Sequence, residues 1–225
     1  MSTNLLNKIM IVLRAAIIVI VVGWILNIPG RLQIGLFTEQ MLVLVLGLSL
    51  ALTFLTFPLA TGETGEEAVV KKILTGEKRT AGWIDIVFAA VAIATCTFVA
   101  VRYPQLIVEL VARPWWGVAS ATVIVLLVFE ASRRVTGLSL ALIVLALCTH
   151  ALFGYLLPDA FASRPIALSR LMVYLAIDTN ALLGGPLDIA VRIVTPFIIM
   201  GHILSRCGGS DFFADGASAR PLVAN

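Results

Sequence analysis

Apolar residues run through this chain in long blocks rather than short alternations, and the polar residues gather at the block edges. A bilayer core about 30 Å thick takes roughly 20 mostly apolar residues of helix. Six blocks reach about that length, over roughly 9–28, 40–58, 83–101, 114–131, 137–157 and 186–205. Pro29-Gly30-Arg31 closes the first, Arg102-Tyr103-Pro104 reads as the stop of the third, and Pro114-Trp115-Trp116 opens the fourth. Aromatic residues at such ends suit the membrane–water boundary. The pattern predicts an all-α polytopic integral membrane protein with about six transmembrane helices.

Two stretches outside these blocks are amphipathic and predict short interfacial helices. Within 59–82, Thr64 and Glu67 have the spacing of a capping box, ahead of Ala68, Val69, Val70, Ile73 and Leu74. Gly76 reads as its stop. Over about 166–177, Leu168, Leu171, Met172 and Leu175 recur at helical spacing before Gly184-Gly185-Pro186, predicting a helix along the membrane surface.

Composition agrees with the pattern. The chain is 60% hydrophobic and 13% charged, with a mean hydropathy of +1.04, whereas a water-soluble surface calls for about 25% charged residues. A net charge of only +3 argues against a nucleic-acid partner and leaves the lipid bilayer as the main one. Placing the N-terminus in the cytoplasm collects ten Lys and Arg inside against five outside, with Arg192 within the sixth block. No small-residue cleavage site follows the first block, so it reads as a retained span. Cys96, Cys148 and Cys207 are too far apart to imply a disulfide framework or a metal site.

Ionisable residues inside a span are functional candidates, because a charge exposed to hydrocarbon costs several kcal/mol. Asp188 and Arg192, four residues apart, either neutralise each other on one helix face or line an interface or substrate path. Glu130, Arg133 and Arg134 sit at a span end, where reaching up to the headgroups accounts for them. His150, near Cys148 in the fifth block, and His202 lack ligand spacing and read first as packed or hydrogen-bonded histidines. Neither His-Glu-x-x-His nor Gly-x-Ser-x-Gly occurs. The chain therefore carries no enzyme signature, catalytic set or cofactor site; a small membrane enzyme and an assembly or regulatory protein are the alternatives to a transporter component.

Several stretches, in order, resemble the fused membrane subunit of tripartite ATP-independent periplasmic (TRAP) transporters, especially the kind served by a TAXI-type binding protein. They are Gly82-Trp83-Ile84-Asp85, the run Phe129-Glu130-Ala131-Ser132-Arg133-Arg134-Val135-Thr136-Gly137, and His150-Ala151-Leu152-Phe153-Gly154-Tyr155-Leu156-Leu157-Pro158. Gly185-Pro186-Leu187, Phe197-Ile198-Ile199-Met200-Gly201 and Gly208-Gly209-Ser210-Asp211-Phe212-Phe213 are similar to the start of the family's large transport domain. The resemblance implies a four-helix scaffold over residues 1–135, a connecting transmembrane helix and loop over 136–165, and the opening of the transport domain over 166–215. It implies location in a bacterial inner membrane, a periplasmic TAXI-type solute-binding protein as partner, and uptake of organic anions, often carboxylates, driven by sodium. The family's sodium-binding hairpin has no counterpart here, so no site residue is carried over. After Asp215 the family pattern stops, and 216–225 reads as an aberrant or truncated tail. The expectation is a truncated or frameshifted permease that does not transport alone, or a subunit whose large domain is encoded separately.

Overall fold

A computed structural model describes residues 3–33, 35–59, 82–109, 114–156, 158 and 164–209. The amphipathic helix expected within 59–82 falls almost wholly outside the described residues. The elements are α1 (Thr3–Ile25), α2 (Thr38–Thr56), α3 (Trp83–Val108), α4 (Trp115–Thr136), α5 (Leu138–Phe153, prolonged by a tight turn over Gly154–Leu156), α6 (Leu168–Ile177) and α7 (Gly185–Arg206). Among the described residues there is no strand. Among the described residues, six helices are long and apolar enough to cross a bilayer, and the chain is an all-α, multi-pass membrane protein.

The core is built mainly by the first four helices, with Val173, Ala176, Ile177, Leu183 and Val191 joining it from later in the chain. α2 is apolar all round and sits inside, burying Met41, Leu42, Val43, Val45, Leu46, Leu50, Ala51, Phe54 and Leu55. Its most extensive contact is with α3. Lipid is as apolar as leucine, so helices in a membrane gain chiefly from close backbone approach over small residues. That approach occurs at Gly47, where an added Cβ would meet the Cys96 Cβ at 2.5 Å and the Ala92 carbonyl at 3.3 Å. α1 lays Leu6, Met10, Leu13 and Val21 into the same core, and α4 adds Ala121, Ile124 and Leu127.

α3 runs seven residues past its expected end at 101, straight through the Arg102-Tyr103-Pro104 stop. Pro104 brings no N–H for the Ala100 carbonyl one turn back. The Gln40 side chain of α2 supplies the missing donor, with its Nε2 2.7 Å from that carbonyl, while its Oε1 accepts the Phe37 N–H at 2.8 Å. One amide thus starts α2 and carries α3 past a proline.

The later helices are attached more lightly. Gly137, at φ 91°, breaks the chain between α4 and α5 in a conformation that favours glycine. Only Ala141 of α5 is buried, and only Val191 of α7. α6 is not a bare surface helix, because it buries Leu171, Val173, Ala176 and Ile177 and packs on α4. Gly208, at φ 78°, follows the end of α7.

Gly47→Val is expected to destabilise the protein by about 1–3 kcal/mol through overpacking against α3. Gly201→Ala, with nothing within 4 Å of the added methyl, should leave stability unchanged or raise it slightly. Thermal melts of both variants in one detergent check the pair, and equal melting points would contradict the close approach of α2 and α3.

Candidate functional site

The polar residues that come together lie where the C-terminal end of α2, the start of α3 and the end of α4 converge. Asp85, in the first turn of α3, accepts the Gly82 N–H through Oδ2 at 3.0 Å, capping its own helix. Its Oδ1 accepts the Leu59 N–H just beyond α2 at 3.3 Å and Nη1 of Arg134 from α4 at 2.7 Å. The side chains of Arg134 and Asp85 are 3% and 2% exposed, so this is a fully buried ion pair.

Arg134 holds more than its aspartate. Nη1 also donates to the Phe57 carbonyl at 3.0 Å, and Nε to Glu130 Oε1 at 2.8 Å. Its guanidinium carbon lies 4.9 Å from the centroid of the Phe54 ring and 5.4 Å from that of Phe88, two rings stacked on each other at 5.4 Å. Such faces attract a desolvated cation by up to about 2 kcal/mol each. Glu130 in turn takes a two-pronged contact from Arg133, Nε to Oε2 and Nη2 to Oε1, both at 2.8 Å. Two carboxylates face two guanidiniums, so the cluster is neutral as a whole. Among the described residues, one donor is left over: Arg134 Nη2 is buried without an acceptor.

This corrects the reading of Glu130, Arg133 and Arg134 as side chains reaching for the headgroups. Arg134 points inward because Asp85, 49 residues earlier, meets it inside the bundle. The i, i+4 spacing of Glu130 and Arg134 was visible in the sequence, but its third member was not. The usable signal was an acidic residue three positions after Gly82 at the mouth of an apolar span.

The other candidates stand apart. Asp188 and Arg192 form an ion pair at 2.6 Å on the outer surface of α7, with side chains 37% and 39% exposed. Arg192 Nη2 also donates to the Thr38 hydroxyl at the start of α2, at 3.0 Å. The backbone is unusual there, a π turn over Ala190–Val194 ahead of Pro196. Widening the turn accommodates a proline that brings no N–H, and the Thr195 hydroxyl donates to the Ala190 carbonyl at 2.9 Å. His150 and His202 are both exposed, and Cys148 beside the former is half-buried. Among the described residues, no three His, Cys, Asp or Glu side chains come together as a metal-ion site.

What this arrangement can do is hold three helices in register, in a place where charges are stable only as a matched set. Comparison with family models, with curated proteins and with solved structures returns no match.

Asp85→Asn and Arg134→Gln should each lower stability by about 3–5 kcal/mol, since either leaves an uncompensated buried charge. The double variant should lose much less than the sum of the two, because both charges are gone. Asp188→Asn, in a half-exposed pair, should cost below about 1 kcal/mol. Chemical denaturation in detergent compares all four variants, and additive losses for the buried pair would mean the two groups are not coupled.

Proposed function

We propose that this chain is a membrane component of a TRAP-type secondary transporter, seated in a bacterial inner membrane with its N-terminus cytoplasmic. The observation that carries this reading is where the resembling stretches meet. Gly82–Asp85 and Phe129–Gly137 lie far apart in sequence, yet Asp85 from one joins Glu130 and Arg134 from the other in a single buried cluster. Two stretches that carry the likeness in sequence thus make one physical unit.

The distribution of burial favours the scaffold role. A scaffold must stay rigid while something moves against it, and the core of α1–α4 is continuous and closed by the ion-pair cluster. α7 touches that body lightly, through Val191 and the Arg192–Thr38 hydrogen bond. In this proposal α1–α4 form the fixed part, α5 connects, and the transport domain begins at 166 with α6, which packs on α4, and α7. The cargo is an organic anion, most simply a carboxylate, delivered by a periplasmic TAXI-type binding protein and driven inward by sodium. The ion and substrate sites belong to a part of the transport domain outside the residues described.

Orientation can be read by labelling. In a cysteine-free background, Gln33→Cys should react with an impermeant thiol reagent added to the outside of whole cells, and Thr136→Cys only after permeabilisation. The reverse pattern would invert the proposed topology.

The transport role calls for a separate test. Purified in mild detergent from its native membrane, the chain should bring with it a membrane protein bearing the transport domain. Proteoliposomes holding this chain alone should show no sodium-driven uptake of a radiolabelled carboxylate, whereas adding that partner and the binding protein should restore it. Uptake by the single chain would overturn the division of labour, and the absence of any such partner would overturn the transporter reading.

A further inference from the structure

We propose that α7 bends at its π turn, Ala190–Val194, and that the hydrogen bond from Arg192 to Thr38 latches one of the bent positions. Two features coincide at this turn. It is where α7 leaves the core: Leu183 and Val191 are buried there, whereas no residue of Thr195–Arg206 is. It is also where the hydrogen-bond ladder of the helix is weakest. Pro196 brings no N–H to the carbonyls one turn back, and Thr195 directs both its N–H and its hydroxyl to the single carbonyl of Ala190. Pro104 of α3 receives the opposite treatment in the same molecule, because a side chain from the neighbouring helix serves the Ala100 carbonyl and α3 runs on as an α-helix. Among the described residues no such donor serves the turn before Pro196. A helix whose ladder is broken at one turn bends at that turn.

The latch sits on the hinge itself. Asp188 holds the guanidinium of Arg192 through Nε at 2.6 Å, which leaves Nη2 to donate to the Thr38 hydroxyl at 3.0 Å. Thr38 opens α2, the innermost helix, so this bond ties the turn to the part of the bundle with the least freedom to move. The Asp188 and Arg192 side chains are both more than a third exposed, and a polar contact in such surroundings is weak enough to open and close. The hinge is a property of this chain alone, so it stands or falls apart from the transporter reading.

Double electron–electron resonance on the full chain in nanodiscs tests this, with nitroxides on Thr136→Cys and Ser205→Cys in a cysteine-free background; both positions are exposed. Thr38→Val keeps the shape of the side chain and removes the hydroxyl, and it should raise the share of a second distance between the labels about five-fold. Thr38→Ser keeps the hydroxyl and should match the unmodified chain. Pro196→Ala restores the N–H and should narrow the distribution. A control pair on Leu5→Cys and Thr136→Cys reads the bundle without α7 and should not change in any variant. An unchanged test pair in Thr38→Val, a Thr38→Ser chain that behaves like Thr38→Val, no narrowing in Pro196→Ala, or broadening of the control pair along with the test pair would each overturn the latched hinge.

Discussion

The Asp85–Arg134 pair is the constraint around which the bundle is arranged. Moving two charges out of water costs several kcal/mol per ion, and the loss is offset only where further hydrogen bonds surround the pair, as they do here around all but the Arg134 Nη2 donor. Here the partners come from three helices: the Leu59 and Gly82 amides and Arg134 around the carboxylate; Phe57, Glu130 and two aromatic faces around the guanidinium. The cluster therefore fixes where α2 ends, where α3 begins and how far α4 descends. A hydrophobic interface between the same helices would tolerate sliding by a fraction of a turn. A carboxylate and a guanidinium 2.7 Å apart do not.

At its other end the bundle relies on a single amide. Gln40 sits in an apolar helix, where an unmatched amide would be costly, and it is stable because Phe37 and Ala100 use both its acceptor and its donor. The two polar sites differ in strength but have the same logic, with the side chain of one helix completing the backbone of the next. Between them, the small-residue contact of Gly47 with Ala92 and Cys96 brings α2 and α3 close enough for both to form.

Much of the architecture was legible in the amino-acid sequence because hydropathy over about 20 residues is a strong signal in a membrane protein. All six long helices fall on the six apolar blocks. What hydropathy does not contain is rotation, the direction each residue faces. Arg134 at the end of an apolar block has the same sequence signature whether it reaches for headgroups or for Asp85, and only the packing of α3 on α4 decides. Pro104 misled for a related reason: its stop signal is local, while the donor that overrides it lies 60 residues away from Ala100. Conversely, Asp188 and Arg192, charges within a span, neutralise each other on one helix face, the first of their two expected readings, and are tied to Thr38. The residues that most looked like a site form a surface contact, and those that looked like edge decoration form the buried one.

The separation of 49 residues between Asp85 and Arg134 also orders the birth of the protein. A membrane protein enters the bilayer as it is made, so α3 is in place before α4 exists. At roughly 5–20 residues per second, the aspartate waits between about 2 and 10 s for its arginine. Through that interval its carboxylate has only the Gly82 and Leu59 amides and whatever water reaches the mouth of the span, although α3 is already packed along α2. The last charge of the buried cluster is therefore matched only when the end of α4 arrives, after the α2–α3 contact that frames it has formed.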